Sequence, residues 1–181
     1  MIKKGQKMNT INRSDVFLKA VATVLCLLLV STFICSCDKH PTPATLEIVM
    51  KLCENEIGLP AGNIYSTVTS KGEDGHMSSS LLSAIFGGSL PEVSADWIEC
   101  SVFLPLANHP CEFTVIHCSS QDAAEDTARL LSHRLLSIKN TKEEWEDMLG
   151  NAKVIVYKNH ACLLISSDTA AAEKLVKTML G

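Results

Sequence analysis

From Ala20 to Ile34 the chain carries no charge (AVATVLCLLLVSTFI), and from Pro43 onward apolar residues recur at helical or strand spacing. In TPATLEIVMKLCENEIGLP, Thr42 stands as N-cap, Pro43 at the first helical position, Gly58 as C-cap and Pro60 just beyond. Leu46, Val49, Met50, Cys53 and Ile57 form the predicted inward stripe of this helix, with Glu47, Lys51 and Glu54 opposite. An extended piece from Asn63 to Gly75 ends in the turn KGEDGH. Ser78–Ser80 then cap a short apolar helix closed by Gly87 and Gly88.

Two strand patterns follow. Ile98, Cys100, Val102 and Leu104 share one face of the first, and Phe113 and Val115 alternate with Glu112 and Thr114 in the second. The next helix, capped by Ser119 or Ser120, has a stripe of Ala124, Ala128, Leu131, Leu135 and Ile138. Acids at its start and His133, Arg134 and Lys139 towards its end complement the macrodipole. Thr141 and Glu144 have capping-box spacing for a short helix carrying Trp145 and Leu149. AKVIVYKNHACLLISSD reads as a tight hairpin in which Asn159 takes a left-handed turn conformation. Asp168 caps a last helix with Ala172, Leu175, Val176 and Met179 inward.

After the first helices the order is ββαββα. It predicts a two-layer α+β fold: an antiparallel sheet of about four strands with helices packed on one face, preceded by a signal-peptide helix. The expected boundaries are a signal at 1–36, a tether at 37–45 and a single α+β domain at 46–181.

Charge sharpens the reading of the first segment. Residues 1–36 hold five basic side chains against one acid, +4, whereas residues 37–181 hold 11 basic and 19 acidic groups, −8. An acidic body without a basic run argues against nucleic-acid binding. The uncharged stretch of fifteen residues would span only ~22 Å as a helix, short of a ~30 Å hydrocarbon core, so it reads as an export signal. No Ala-x-Ala cleavage site follows it. Instead Ile34-Cys35-Ser36-Cys37 resembles the lipobox of bacterial lipoproteins, with Ile34, Cys35 and Ser36 as the peptidase recognition residues and Cys37 as the lipidated one. Cys35 departs from the usual Ala, Ser or Thr at its position but is small enough to fit. Several acyl chains on Cys37, at ~0.8 kcal/mol per buried CH2, would hold the chain durably. Asp38 resembles the signal that retains lipoproteins on the inner membrane, so the expected location is the outer face of the cytoplasmic membrane.

From about residue 44 the chain resembles the bacterial lipoproteins of the domain of unknown function 4358 family. The resemblance rests on the step from Leu82 to Gly87, on WIECSVFLPLANHPCEFTVIHCSSQDAAE and on NAKVIVYKNHACLLISSD. The family pattern has Gly-Asn at the last hairpin turn, where this chain has Lys158-Asn159. The resemblance implies location and fold, and no activity.

Candidate chemistry is sparse. Cys53, Cys100, Cys111, Cys118 and Cys162 are an odd set for an exported domain, and their places on apolar faces favour burial as free thiols over bridging. Cys111 and His117 share a face of one strand, and His160 and Cys162 a face of another; these four are the weak candidates for a metal, without a paired-ligand spacing to support them. Glu143, Glu144, Glu146 and Asp147 lack calcium-loop spacing, and no nucleophile elbow or phosphate loop is present. No cofactor is expected. The sequence therefore predicts a membrane-anchored, non-catalytic binding or assembly module for an envelope protein. The alternative is a ligand-binding or enzymatic lipoprotein using a pocket near the strand-end histidines.

Overall fold

The computed structural model describes residues 43–87 and 92–181. The export segment, the lipobox residues Ile34 to Ser36, the lipidation residue Cys37 and the predicted caps Thr42 and Gly88 lie outside the described residues.

The elements in chain order are α1 (Thr45–Asn55), β1 (Gly62–Ser66), α2 (Ser79–Phe86), a 3-10 turn (Glu92–Asp96) and β2 (Trp97–Pro105). After them come β3 (Glu112–Cys118), α3 (Gln121–Thr141), a second 3-10 turn (Glu143–Trp145), α4 (Glu146–Asn151), β4 (Lys153–Tyr157), β5 (His160–Ile165) and α5 (Thr169–Leu180). The fold is α+β, with five strands in the order β1-β2-β3-β5-β4 and every neighbouring pair antiparallel. The extended piece after α1 supplies the extra strand: Gly62–Ser66 pairs along the outer half of β2.

Helices cover both faces of the sheet, which corrects the two-layer expectation. On one face α3, with α2 and α4 beside it, packs on Cys100, Val102, Ile116, Cys118, Ala161, Leu163 and Ile165. On the other, α1 lies over β2 and β3 and α5 over β4 and β5, enclosing Phe103, Phe113, Val115, Cys162 and Leu164. Every residue of β5 is buried, as is β3 from Glu112 to Ile116. Near-continuous burial of this kind belongs to a sheet covered twice.

The caps at Ser78, Ser120 and Asp168 form as the sequence predicts, each side chain accepting a backbone N–H three residues on. Thr141 does not open a capping box, because α3 runs through it and its hydroxyl donates back to the carbonyls of Ser137 and Ile138. Helix α1 starts at Thr45, and its buried face is Thr45, Ile48, Val49 and Leu52, one step round from the predicted stripe; Met50 and Ile57 are exposed. Both stripes satisfy the helical period, and tertiary hydrogen bonds select between them. Thr45 Oγ1 lies 2.8 Å from Ser101 Oγ, which donates to Ser66 Oγ at 2.7 Å. With Ser101 donating onward, Thr45 donates to it, so a directed chain of three buried hydroxyls sits under the start of α1. Thr45 is thus part of the fold and not of the tether.

Candidate functional site

The sheet has two ends of different character. At one, which we call the base, α1 begins and α5 finishes; at the other, the tip, α1 finishes and β1 begins.

At the base, strand register aligns four polar side chains on the α1/α5 face. Glu99 of β2 pairs with His117 of β3, His117 with His160 of β5, and His160 with Tyr157 of β4. Glu99 reaches this face by ordinary alternation with Ser101 and Phe103, while a bulge between Trp97 and Glu99 leaves Ile98 exposed, so Ile98 does not share the face of Cys100 as the alternation predicts. Glu99 Oε2 accepts the Thr45 N–H at 3.0 Å, so a carboxylate from the sheet does the capping expected of Thr42.

The two imidazoles are stacked, with centroids 4.4 Å apart and planes inclined by 3°. Asn159 donates to Cys118 O at 3.0 Å and to His117 Nε2 at 2.8 Å. The carbonyl fixes which amide atom is nitrogen, so the neutral His117 ring accepts at Nε2 and carries its proton on Nδ1. This duty explains the turn. Lys158, not Asn159, adopts the left-handed conformation, with φ +53° at the first central position as in a type II′ turn. The Lys158 ammonium in turn donates to the carbonyl oxygens of Leu180 and Gly181 and ties down the end of α5. His160 is 1% exposed, and neither ring nitrogen has a hydrogen-bond partner. Burial, then His117, then Lys158 hold its pKa down at about 4.

The four weak metal candidates all lie on this same face. Register brings His117 and His160 together; Cys162 is one step along β5, opposite Val115, and Cys111 lies just before β3, at its far end. Stacked rings hold their nitrogen lone pairs in parallel planes, which do not converge on one ion. Among the described residues no group of three or more His, Cys, Asp or Glu is placed to hold a metal. All five described cysteines are free thiols, and burial raises each pKa, to about 12 for Cys53, Cys111 and Cys162.

At the tip, the Glu56 carboxylate accepts from Ser166 Oγ and from the Ser167 N–H, joining the end of α1 to the start of α5. Beside that junction is a groove of about 210 Å³ lined by Leu52, Ile57, Ala172 and Leu175 among others, with Glu56 and Asp168 its only charged members. Ile57 is 87% exposed and Leu106 71%, the largest exposures of any described large apolar residue. Leu106 belongs to the same end, its N–H donating to Ala61 O at 2.8 Å. Spacing alone does not reveal this tip, because Ile57 fits the helical stripe that predicts it buried.

The class defined by these elements is a three-layer α+β sandwich around an antiparallel sheet, with no helix among the described residues long and apolar enough to cross a membrane. Compared with known protein families, with curated proteins and with solved structures, the chain finds no match.

Proposed function

We propose that the protein is a lipoprotein anchored through Cys37 on the outer face of the cytoplasmic membrane, and that its domain is a non-catalytic module presenting its tip to another envelope protein. The observation that carries the reading is the opposition of the two ends. The chain enters the fold at the base, locked by Thr45 to Glu99 and Ser101, while Ile57 and Leu106 stand exposed at the tip. Thr45 is eight residues after Cys37, a leash of ~28 Å at most. The eleven residues of α1 carry the tip ~16 Å further from the base. Two large apolar side chains exposed at one end of the domain favour a protein partner there.

The rival, a ligand pocket at the strand-end histidines, is less well supported, because His160 is enclosed by the fold. Two measurements test the proposal separately. Fatty-acid labelling in a bacterial host marks the full chain, and Cys37→Ser abolishes the label and leaves the precursor uncleaved; normal processing of that variant overturns the anchor. A photo-crosslinker placed at Ile57 or Leu106 captures one defined envelope protein, and a control placed at Glu73 does not. Identical adducts from all three positions overturn the tip as the binding end.

A further inference from the structure

We propose that the stacked His117–His160 pair is an acid-sensitive latch that holds α5 against the sheet, through the turn of the β4–β5 hairpin, at the base of the domain. The geometry is that of a ring kept neutral by its surroundings. His160 is buried on both sides of its plane, by the His117 ring 4.4 Å away and by the fold, and both its nitrogens lack a partner. A buried imidazolium needs a hydrogen-bond acceptor or a counter-charge.

Among the described residues the base offers neither to the His160 ring nitrogens. Across the sheet the nearest carboxylate in the row is Glu99, which lies beyond the His117 ring and is already engaged by the Thr45 N–H. Tyr157, the neighbour on β4, brings a phenol and the adjoining Lys158 an amine, and neither is a carboxylate. The inward residues of α1 are Thr45, Ile48, Val49 and Leu52, and those of α5 are Thr169, Ala172, Val176 and Leu180; none carries charge. The charged residues Glu47, Lys51, Glu54, Lys174 and Lys177 of these helices are exposed, and Glu173 is held by Lys153 and Lys177. A proton on His160 therefore meets a second imidazole and, beside it, an ammonium already engaged by the last oxygens of α5, with no described carboxylate side chain in contact with its ring nitrogens.

The same residues explain what would move. His160 directly follows the turn whose Lys158 holds the last carbonyls of α5 and whose Asn159 holds His117 and the end of β3. Displacing His160 into water pulls on both straps. The opposite layer meets these groups at one point only among the described contacts: Cys118, whose carbonyl Asn159 holds, turns its thiol to Thr127 Oγ1 of α3 at 3.5 Å, on the other face of the sheet.

The sign follows from linkage. His160 has a lowered folded-state value, so the latch is at full strength above the unfolded value of 6.5 and weakens as pH falls from there towards 4. Between pH 7 and pH 4.5 the opening constant of a segment that frees this ring rises roughly 50-fold.

Hydrogen exchange on the full chain in detergent micelles, corrected for the intrinsic pH dependence of exchange, tests the latch. The amides of α5 should show that rise on acidification while those of α3 keep their protection. His160→Phe, which preserves a flat ring without a proton site, should leave α5 equally protected at both pH values; His160→Gln is the second variant if the first does not fold. The latch is overturned if α5 is insensitive to pH, if α3 opens in parallel with it, or if the folded variant retains the wild-type acid response.

Discussion

Arg134 grips Glu112 with two parallel hydrogen bonds, Nε to Oε1 at 2.7 Å and Nη2 to Oε2 at 2.6 Å, beneath helix α3. Glu112 is 3% exposed, and Arg134 also donates to Ile85 O, so one guanidinium joins β3, α2 and α3. Removing either partner strands the other. Glu112→Gln or Arg134→Met is expected to cost about 3–5 kcal/mol, whereas replacing both by apolar residues costs far less. Urea denaturation of the two single variants and the double variant checks this, and additive losses would contradict it.

The buried hydroxyl chain makes a second expectation. Thr45→Val keeps the shape but leaves Ser101 without its donor, and should cost about 1–2 kcal/mol. The loss should appear as faster amide exchange in α1, with α3 unaffected.

Gly62 is tightly enclosed. A Cβ there would stand 2.5 Å from the Phe103 ring and 2.6 Å from the Leu104 carbonyl oxygen, which is backbone and does not yield. Gly62→Ala should destabilise the domain by about 1–3 kcal/mol through overpacking. Chemical shifts of β1 and of Phe103 should report the change first.

The thiols should be unreactive. With a pKa pushed up to about 12, Cys53, Cys111 and Cys162 are roughly one part in ten thousand thiolate at pH 8. Native protein should therefore label slowly with a maleimide, beginning at half-buried Cys53, and the mass of the unlabelled domain should show all five thiols reduced. A loss of two hydrogens from the freshly purified protein would contradict this.

Local patterns carried much of the fold. The Ser78, Ser120 and Asp168 caps and the inward stripe of α3 depend on residues within a turn of one another, and the sequence displays them directly. The second cover of the sheet is not local. Glu112 and Thr114 read as a solvated face because polar residues in a strand usually are, and nothing near Glu112 announces an arginine 22 positions on. The same holds at the base. Parity assigned His117 and His160 to faces of their own strands, but their stacking depends on the β3–β5 register, fixed across α3 and 42 residues of chain. The bulge that turns Ile98 out to solvent is likewise a property of the pairing and not of the strand. Ile57 failed in the other direction, its periodicity matching a helix that ends before reaching it.

The sheet divides the domain into two hydrophobic chambers with a common wall. Alternate residues of a strand such as β5 answer to different chambers, Leu163 to one and Leu164 to the other. Changes on opposite sides should then have free energies that add, while changes on one side interact. Such a chain can drift in the layer under α3 without disturbing the one under α1 and α5. Each chamber can be repacked by itself behind the shared backbone.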